Sequence, residues 1–459
     1  MPQTFADIAG AVQGRWVVEP APGRVPPTGY SIDTRTLRPG DAFVAIAGEN
    51  FDGHDFVTQA IDAGASLIIA SNAEKLPPTP TPSLLVPDTV AALQQLAAAH
   101  RRQLKKVIAV AGSNGKTTTR HLIHHVLSAT LTGTQSPRSF NNHLGVPLTL
   151  LAAAPEHDFT VVEIGTNHPG EIAQLAALVR PDITVVTSIG EEHLEFFHDL
   201  HGVAREEFSI LAFTQQTALI PPEVQTEEYP LPAATCDVHR IDARDAVAAA
   251  VSFPGGLPGE HNRLNAAFAV GVARLFGLDD ASIAQRLRTA EPVELRSVLR
   301  TVGRNDYAVT LMIDCYNANP SSMAAALTTL ASLPAQRRVA ILGDMFELGE
   351  QSARLHAQVG RLAATLKAAE DAPDENLPGE LPGAGVDRAY VIGDQMSHFA
   401  AAFTTHRPAE CLQHFPAYHD DLPARLAAQL RPGDAVLIKA SRGMRLERLI
   451  PAIEQRFPA

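Results

Sequence analysis

The sequence predicts an α/β protein of three domains in which strands and helices alternate along most of the chain. Its 459 residues suggest about three domains at roughly 150 residues each. Apolar runs of strand length alternate with segments of helical spacing, which favours parallel sheets covered by helices. Hydrophobic residues make up 45% of the chain and charged residues 19%. This composition can fill several cores and excludes an intrinsically disordered protein.

Residues 1–104 form the first predicted domain, which is rich in proline and glycine. Short strand-like runs occupy residues 42–47 and 66–70, and residues 90–102 carry apolar side chains at helical spacing. We therefore expect an α/β domain built on short strands in this region.

Residues 105–297 form the second predicted domain, whose expected strands are continuous apolar runs. Such runs are typical of parallel strands that are buried on both faces. The expected strands cover residues 107–111, 159–164 and 183–188. Helical patterns lie between them, at residues 117–128 and 171–179. This alternation predicts a doubly wound parallel sheet.

Residues 298–459 form the third predicted domain, which repeats the alternation and is expected to be a second, Rossmann-like α/β domain. Its expected strands cover residues 308–313, 338–342, 389–392 and 435–438. Two proline-rich stretches, residues 220–234 and 368–385, are expected to be irregular, the second of them as a surface loop.

Charge and cysteine content narrow the possible functions. The formal net charge is −13, which argues against a nucleic-acid binder because phosphate neutralisation needs clustered Lys and Arg. Cys236, Cys315 and Cys411 are far apart and form no CxxC pair, so neither a disulfide framework nor a zinc site is expected. The first residues lack a signal-peptide pattern, and no apolar run approaches the ~18 residues of a membrane span. We expect a cytoplasmic monomer that does not insert into a membrane.

The strongest local signal is a glycine-rich turn, AGSNGKTT, at residues 111–118. It lies between a predicted buried strand and a predicted helix, which is the context of a phosphate-binding loop. Glycines let the backbone approach phosphate oxygens, and N–H groups at the helix start point toward them. Lys116 is expected to reach the β- and γ-phosphates, and the Thr117 hydroxyl to bind Mg²⁺. Val110 stands where the longer form of the motif has glycine, so the match is to the shorter GxxGKT form.

A carboxylate and an imidazole follow other predicted strands of the same sheet. Glu163 closes one apolar run, and His193 follows the next one. Ligands of open α/β sheets bind at the carboxyl ends of the strands, where Glu and His can complete Mg²⁺ shells around a triphosphate. Taken alone, each residue is more often structural. Their shared position behind the phosphate loop favours the functional interpretation.

Amides and an aspartate occupy further loops near expected strand ends. Asn141 and Asn142 lie in the loop SFNNHLGVP, whose side chains can bind a polar ligand. Asn262 lies at a predicted helix start, where an ordinary helix cap is as good an explanation as contact with a purine edge. Asp314 follows an apolar strand, a position from which Asp commonly contacts a ribose hydroxyl. Lys439 and its neighbours follow the last predicted strand and bring positive charge to a probable cleft edge.

Together these motifs resemble the Mur ligase superfamily over nearly the whole chain. The elements found in the family's order are the phosphate loop, Glu163, His193, the HNRLN block at residues 261–265, Arg296 and Asp314. Several blocks are similar to the branch that adds D-alanyl-D-alanine: FNNHLGVP at 140–147, EIGTNH at 163–168, DCYNANPSSM at 314–323 and GDMFELG at 343–349. The blocks SIDTR, PGDAF and FDGH within residues 31–54 are similar to that branch's nucleotide-sugar domain.

The resemblance implies an ATP-dependent amide ligase of peptidoglycan precursor synthesis. ATP would phosphorylate the terminal carboxylate of a UDP-linked muramoyl tripeptide. The amine of D-alanyl-D-alanine would then attack the acyl phosphate and phosphate would leave. ATP and Mg²⁺ are the implied cofactors, and the UDP-muramoyl peptide and D-alanyl-D-alanine are the implied small-molecule partners.

The resemblance also implies roles for individual residues. The implied catalytic residues are Lys116, His193, Glu207 and Arg296. The implied ATP-binding residues are Gly112, Ser113, Asn114, Gly115, Lys116, Thr117, Thr118, Asn262, Arg296 and Asp314. The implied substrate-binding residues are Ser31, Thr34, Arg35, Asn141, Asn142, Asn317, Asn319, Lys439, Ser441 and Arg442. The implied metal-binding residues are Thr117, Glu163, His193 and Glu207.

One position departs from the family pattern. Family members usually carry a carbamoylated lysine after the His-Leu-Glu segment, and its carbamate helps to bind a second Mg²⁺. Here Glu207 stands at that position, and a glutamate is ionised near neutral pH without modification. We expect Glu207 to replace the carbamate. Two alternatives remain: Glu206 in that role, or a solvated acidic pair with no role at all.

Three alternative functions are left by the sequence. A Mur-type ligase could add another amino acid or act on another carboxylate such as a folate, although the FNNHLGVP and DCYNANP blocks argue against it. A nucleotide-dependent kinase or ATPase switch would not need the first domain. A catalytically silent relic is disfavoured by the intact Lys116, Thr117, Glu163 and His193. The third residue of the tripeptide, diaminopimelate or lysine, stays open.

Overall fold

The computed structural model of the chain describes residues 4–222, 229, 231–232, 236–251, 257–366 and 385–458. These residues form three units, each built on a mostly parallel sheet that is covered by helices. The predicted α/β class is therefore confirmed. The loop predicted at 368–385 and much of the proline-rich stretch at 220–234 lie outside the described residues.

The first unit is a five-stranded sheet with three helices. Its strands are β1 (Arg15–Val18), β2 (Tyr30–Ser31), β3 (Ala42–Val44), β4 (Leu67–Ala70) and β5 (Ser83–Leu85), and its helices are α1 (Phe5–Val12), α2 (Val57–Asp62) and α3 (Thr89–Arg101). The strand order is β1-β5-β4-β3-β2, with β1 antiparallel to β5 and the other neighbours parallel. Helix α3 begins after Asp88, whose side chain accepts hydrogen bonds from two first-turn N–H groups.

The central unit is a six-stranded sheet in which every pair of neighbouring strands is parallel. Its strands are β6 (Lys106–Ala111), β7 (Gly133–Gln135), β8 (Phe159–Glu163), β9 (Ile183–Val186), β10 (Thr217–Ile220) and β11 (Asp237–Arg240). Its helices are α4 (Lys116–Leu127), α5 (Gly145–Ala152), α6 (Glu171–Val179), α7 (Leu194–Phe197), α8 (Leu200–Phe208), α9 (Ala246–Ala249), α10 (Glu260–Leu275) and α11 (Asp280–Leu287). The predicted doubly wound parallel sheet is confirmed.

Strand order places the glycine-rich turn at the centre of this sheet. The order is β11-β10-β9-β6-β8-β7, so the chain leaves β6 for the β7 and β8 side and then crosses to β9 on the other side. The turn after β6 therefore opens at a topological switch point, where ligands of open α/β sheets bind. Residues 107–111 of β6 are all buried, which explains their continuous apolar run.

The C-terminal unit is a six-stranded sheet with one antiparallel edge. Its strands are β12 (Val298–Arg304), β13 (Tyr307–Ile313), β14 (Arg337–Gly343), β15 (Arg388–Ile392), β16 (Leu412–Phe415) and β17 (Asp434–Lys439), and its helices are α12 (Pro320–Ser332), α13 (Ser352–Thr365), α14 (Met396–Phe403), α15 (Leu422–Gln429) and α16 (Ile450–Arg456). The order is β12-β13-β17-β14-β15-β16, and only the β12–β13 hairpin is antiparallel. The four strands predicted here are β13, β14, β15 and β17.

The three units pack against one another through apolar side chains. One core contains Leu96 of α3 in the first unit and Leu150 of α5 in the central unit. Another contains Leu194 and Phe197 of α7 in the central unit together with Leu348 of the C-terminal unit. Both junctions position the loops between the sheets. Among the described residues, no helix has the length and apolar character needed to cross a membrane.

Candidate active site

A cleft of about 1040 Å³ lies where the central and C-terminal units meet, with Gln94 of the first unit at its edge. The central unit contributes the phosphate loop and the loops after β7, β8 and β9. The C-terminal unit contributes the ends of β13 and β17 and the segment after β14. The predicted site residues that line the cleft are Ser113, Asn114, Gly115, Lys116, Thr117, Thr118, Asn141, Asn142, Glu163, His193, Asn262, Arg296, Asp314, Asn317, Asn319, Lys439, Ser441 and Arg442.

The phosphate loop requires glycine at two positions. Gly112 has φ 113° and Gly115 has φ 85°, both in the left-handed region that side chains disfavour. A Cβ atom on Gly115 would also clash with the Asn265 amide, and one on Gly112 with Thr187. Helix α4 begins directly after Gly115, so its N-terminal N–H groups face the cleft.

Lys116 is partly buried beside this loop, with 15% of its side chain exposed. Its ammonium group donates a hydrogen bond to the Gly112 carbonyl and lies 3.8 Å from Oε2 of Glu192. Burial acts to lower the pKa of Lys116, but the charges of Glu192, Glu207 and Glu163 outweigh it and raise that pKa. The side chain is therefore a fixed positive charge beside the loop.

Thr117 provides an oxygen with spare bonding capacity. Its side chain is buried, and within the described part of the chain its hydroxyl has no hydrogen-bond partner. A buried hydroxyl without a partner is costly. Since Thr117 is in the first turn of α4 and lines the cleft, an incoming oxygen ligand or cation can satisfy it.

Glu163 ends β8 in a buried polar network. Oε2 accepts a hydrogen bond from Arg120 at 3.1 Å, and Oε1 accepts one from the Asn141 amide at 3.1 Å. Arg120 also donates to the side chain of Gln135 at 2.8 Å. A carboxylate has about four lone-pair positions, so Glu163 retains capacity for a cation. Asn142, in contrast, caps α5 by accepting from the Gly145 N–H group at 2.9 Å.

His193 contacts the C-terminal unit. Its Nδ1 atom lies 2.7 Å from Oε2 of Glu347, although the approach does not satisfy hydrogen-bond geometry, so the contact is chiefly electrostatic. The proximity of His193 holds the pKa of Glu347 below its usual range. The predicted metal ligand and the third unit are thus in direct contact.

Glu207 lies behind the phosphate loop. Its side chain is fully buried, and Oε2 accepts a hydrogen bond of 2.6 Å from the Gly112 N–H group. Burial, together with the charge of nearby Glu192, raises the pKa of Glu207 to about 8. Burial thus favours the protonated form of Glu207 relative to an exposed glutamate, and its role in place of the carbamate stays a prediction.

Glu206 has a different and structural position. Its carboxylate accepts hydrogen bonds from the N–H groups of Gly170 at 2.7 Å and Ile172 at 2.8 Å, at the N-terminus of α6. The alternative of a solvated acidic pair is wrong, because Glu206 and Glu207 are both buried. Glu206 is a helix cap, so Glu207 is the better placed of the two for the cleft.

Asn262 and its neighbours form an amide chain in the first turns of α10. Asn262 donates to the Pro258 carbonyl at 2.8 Å and accepts from Asn265 at 3.1 Å. Asn265 in turn accepts from the Thr119 hydroxyl of α4 at 3.1 Å. The chain of bonds holds α10 against the phosphate-loop helix, while Asn262 still lines the cleft.

A cationic group lies at the boundary of the C-terminal unit. The Arg296 guanidinium is 4.0 Å from the centroid of the Tyr316 ring, within range of a cation–π contact. Asp314 accepts hydrogen bonds from Lys439 at 2.7 Å and from the Ser297 N–H group at 3.0 Å. Lys439 is buried, so its charge is balanced by Asp314.

The C-terminal unit also contacts the phosphate loop directly. The Asn319 amide donates to the Asn114 side chain at 3.0 Å, and Asn114 donates to the Ser321 hydroxyl at 3.0 Å. Asn319 also caps α12. Ser441 is buried and bonded to backbone groups, whereas Arg442 is half-exposed and pairs with Glu447.

Five predicted residues do not line the cleft: Gly112, Glu207, Ser31, Thr34 and Arg35. Gly112 belongs to the phosphate loop itself, and Glu207 lies behind it. The other three are in the first unit, where the Ser31 hydroxyl donates to the Asp33 carbonyl at 2.9 Å. Arg35 pairs with the Asp33 carboxylate at 2.6 Å and is 85% exposed.

Five residues of this network were not predicted from the sequence: Arg120, Glu192, Asn265, Tyr316 and Glu347. Glu192 and Glu347 stand inside motifs that the sequence already singled out, EEHLE and GDMFELG. Charge next to a predicted ligand is a usable signal for Glu192. Glu347 is 154 positions beyond His193 in the numbering, and no local pattern pairs the two.

No metal-ligand cluster is preformed here: within the described ranges, no group of three or more His, Cys, Asp or Glu side chains converges to hold a metal ion. The donors present are hard oxygens and one imidazole. Thr117 and Glu192 both lie at the cleft, and each has an oxygen without a partner among the described residues. Such donors fit Mg²⁺ that arrives with phosphate oxygens and water in its shell.

Fold and cleft together define a three-domain α/β protein of the phosphate-loop class. Three family descriptions match successive parts of the chain: Mur ligase family, catalytic domain, over residues 27–101, Mur ligase middle domain over 110–229, and Mur ligase, glutamate ligase domain, over 299–442.

Similar proteins extend over the full chain. The UDP-N-acetylmuramoyl-tripeptide–D-alanyl-D-alanine ligase of Bacillus subtilis (strain 168) is 30% identical, with 98% of this chain and 97% of that protein covered. The ligase of the same name from Synechocystis is 33% identical over 93% of this chain and 92% of that protein. A crystal structure of MurF from Acinetobacter baumannii superposes with a TM-score of 0.79, 28% identity and 99% of both chains covered. The chain belongs to the Mur ligase family, which confirms the resemblance.

Proposed function

We propose that this chain is an ATP-dependent ligase that adds D-alanyl-D-alanine to UDP-N-acetylmuramoyl-tripeptide through an acyl-phosphate. The observation that carries the proposal is the position of the phosphate loop, with Lys116 and Thr117, on a cleft to which the C-terminal unit contributes. The relatives of that name match more than nine tenths of the chain, so the whole architecture supports it and not the phosphate loop alone.

Positioning and charge neutralisation account for most of the catalysis of phosphoryl transfer. Lys116 is a fixed charge at the loop, and Arg296 lines the same cleft beside Tyr316. We assign both to the transferring phosphoryl group. The contacts of Asn114 with Asn319 and Ser321 close the cleft over the loop, which helps to exclude water from the acyl phosphate.

Nucleotide binding follows from the same loop. The residues we assign to ATP are Gly112, Ser113, Asn114, Gly115, Lys116, Thr117, Thr118, Asn262, Arg296 and Asp314. Gly112 contributes through the shape of the loop, since it lies beneath the cleft. Asn262, Arg296 and Asp314 all line the cleft, and we assign Asn262 to the base and Asp314 to the ribose.

Mg²⁺ fits the donor set at the loop. Thr117, Glu163, His193 and Glu207 would hold it, with phosphate oxygens and water completing the shell. When bound, Mg²⁺ neutralises charge on the phosphate oxygens during transfer. The chain's own contribution is to fix these donors: Arg120 and Asn141 orient Glu163, and the Gly112 N–H group holds Glu207.

The residues assigned to the two other substrates lie in all three units. We assign the UDP end of the tripeptide to Ser31, Thr34 and Arg35 of the first unit. The peptide and D-alanyl-D-alanine are assigned to Asn141, Asn142, Asn317, Asn319, Lys439, Ser441 and Arg442. Asn142, Asn317 and Arg442 are the exposed members of this set, whereas Lys439 and Ser441 act from buried positions by shaping the loop.

The organisation of the chain completes the proposal. We propose domain boundaries at 104/105 and 297/298: residues 1–104 bind the UDP-sugar-peptide, residues 105–297 form the central ATP-binding domain, and residues 298–459 form the C-terminal Rossmann-like ligase domain. A monomer in the cytoplasm is the expected working form, since substrates of this kind are made there.

The decisive test is a measurement of ADP and phosphate release with UDP-N-acetylmuramoyl-tripeptides carrying diaminopimelate or lysine, each with and without D-alanyl-D-alanine. We expect ADP release and a pentapeptide product only when all three substrates are present. ADP release that is independent of the amine would indicate a kinase or an ATPase switch. Product formation with another amino acid but not with D-alanyl-D-alanine would indicate a different Mur-type ligase.

A further inference from the structure

Two buried carboxylates and the ammonium group of the partly buried Lys116 lie together at the phosphate loop. Glu192 is 8% exposed, Glu207 is fully buried, and both act electrostatically on Lys116. Glu192 approaches Lys116 to 3.8 Å. Glu207 accepts the Gly112 N–H group at 2.6 Å. The cluster therefore contains two potential negative charges and one positive charge.

Each carboxylate in this cluster has one oxygen to spare. Within the described ranges, Oε1 of Glu192 and Oε1 of Glu207 have no donor partner, and neither does the Thr117 hydroxyl. Both carboxylates lie at the same turn: Glu192 is 3.8 Å from the Lys116 ammonium, which donates to the Gly112 carbonyl, and Glu207 accepts from the Gly112 N–H group. Three unsatisfied buried oxygens in one neighbourhood are unusual, because each costs free energy unless a partner arrives.

Two facing carboxylates inside a protein need a positive partner. Their mutual repulsion is strong in a low-dielectric interior, and Lys116 alone balances one of them. The remaining choices are a proton shared between the two groups or a cation bound by both. Oxygen donors of this kind suit a hard divalent cation such as Mg²⁺.

The positions of the two glutamates differ in a way that divides their roles. Glu192 lines the cleft, next to His193 and facing the same space as Thr117, whereas Glu207 lies behind it and does not line the cleft. A glutamate at position 207 has a shorter arm than a carbamoylated lysine would have. Glu192 therefore reaches the cleft directly, whereas Glu207 does not.

We propose that Glu192 is a further cation-binding residue of this protein, and that Glu192 and Glu207 together provide the anionic oxygens beside the phosphate loop. The inference rests on the proposed function and deepens it. Glu192 presents its carboxylate to the cation at the cleft, and Glu207 supports Glu192 and the Gly112 backbone from behind. Neither the family match nor the sequence motifs assign a role to Glu192.

The test counts cations on the full-length chain. Mn²⁺ replaces Mg²⁺, and bound ions are measured by electron paramagnetic resonance in the presence of a non-hydrolysable ATP analogue. We expect Glu192→Gln to weaken one class of bound Mn²⁺ at least ~10-fold, while the analogue still binds at saturating Mn²⁺. Glu192→Asp keeps the charge, so its Mn²⁺ affinity should lie between those of the wild type and Glu192→Gln. Glu195→Gln is the matched control, because Glu195 is exposed on the same segment.

The possible results separate the inference from the function on which it rests. Glu192→Gln removes a charge from a crowded buried site, so its melting temperature should not fall. If Glu192→Gln binds as many Mn²⁺ ions as the wild type with the same affinity, Glu192 is only the counter-ion of Lys116 and the inference is wrong while the ligase assignment stands. If the wild-type chain binds neither Mn²⁺ nor the analogue, both are overturned.

Discussion

Nδ1 of His193 in the central unit lies 2.7 Å from Oε2 of Glu347 in the C-terminal unit. Both residues have left-handed backbones, with φ 47° and 62°, a region that costs free energy outside glycine. Two hydrogen bonds flank the contact: the Glu195 N–H group donates to the Glu347 carbonyl at 3.3 Å, and Gln351 donates to the His198 carbonyl at 2.6 Å. The segment carrying a proposed metal ligand is therefore held by the third unit.

Glu347→Gln should lower kcat about 10-fold and raise the Mg²⁺ concentration needed for half-maximal rate. A carboxylate beside a ligating histidine fixes the ring and raises its basicity, and losing such a partner typically costs ~10–100-fold. The measurement is ligation rate against Mg²⁺ concentration. Glu350→Gln, at an exposed position of the same segment, is the control. An unchanged Mg²⁺ requirement would show that the contact between His193 and Glu347 is an ion pair without a role in the site.

Lys116→Ala should abolish ligation while the fold is retained. Removing a charge that stabilises a transferring phosphoryl group costs on the order of 3 kcal/mol, or about 100-fold in rate. Turnover is measured with all three substrates, and circular dichroism reports the fold. Lys105→Ala is the control, since Lys105 forms only a surface ion pair with Asp158. Turnover of the Lys116 variant within tenfold of the wild type would refute the phosphate-loop assignment.

The sequence predicted what depends on local pattern. Strands β6, β8 and β9 are buried on both faces, so each one had to be a continuous apolar run. The phosphate loop was visible because its glycines, Lys116 and Thr117 are neighbours in the chain. Helix α3 was visible because its apolar spacing follows from one buried face.

Contacts between units could not be predicted in the same way. The pairs His193 with Glu347 and Asn114 with Asn319 join residues from different sheets, so no periodicity records them. The raised pKa of Glu207 could not be predicted either, because it depends on how deeply the fold buries that side chain and on the charge of nearby Glu192. Sequence position alone made Glu207 look like an ordinary ionised glutamate.

His356 gives a pH dependence of stability. Its buried ring accepts the Met345 N–H group at 3.1 Å and contacts the Ser352 carbonyl at 2.8 Å. Burial lowers the pKa of His356 below its usual 6.5. Between the lowered pKa and about pH 6.5, the folded state then binds fewer protons than the unfolded state. This contribution to the free energy of unfolding is present above about pH 6.5 and is lost as pH falls through the lowered pKa.

The measurement is the free energy of unfolding between about pH 7.5 and pH 5 for the wild type and for His356→Gln. As pH falls, the free energy of unfolding of the wild type should decrease by up to about 1.4 kcal/mol per pH unit more than that of the variant. At pH 7.5 the variant should be less stable by about 1–3 kcal/mol, because the Met345 N–H group loses its acceptor. His406→Gln, at an exposed position, should follow the wild-type curve. If the free energy of unfolding changes with pH in the same way for the wild type and His356→Gln, His356 does not cause the pH dependence.

Arg35→Ala should raise KM for the UDP-peptide about tenfold or more and leave KM for ATP nearly unchanged. Arg35 is exposed and paired only with Asp33 at the surface, and such a pair is weak enough to exchange for a pyrophosphate. A charge-assisted bond to phosphate is worth roughly 1.5–3 kcal/mol. Arg38→Ala, on the same exposed turn, is the comparison. Equal increases in KM for the UDP-peptide and for ATP would show that this loop does not bind the UDP end.

Ligation by this chain should need neither CO₂ nor bicarbonate. A lysine carbamate forms only from a neutral amine and CO₂, whereas Glu207 already carries carboxylate oxygens. Rates measured in CO₂-free buffer, with and without added bicarbonate, should therefore coincide. A rate that rises with bicarbonate would mean that some lysine is carbamoylated and that Glu207 does not take its place.

Glu207→Gln should lose most activity and need far more Mg²⁺, because it keeps the shape of the side chain but removes an anionic oxygen beside the loop. Its amide can still accept the Gly112 N–H group, so the fold should survive and a loss of rate can be assigned to the missing charge. Glu206→Gln is the matched control. It weakens the cap of α6 at Gly170 and Ile172 and should cost about 1–3 kcal/mol of stability, yet keep its rate per folded molecule. If Glu207→Gln keeps full activity at low Mg²⁺, the cation beside the phosphate loop is held without residue 207.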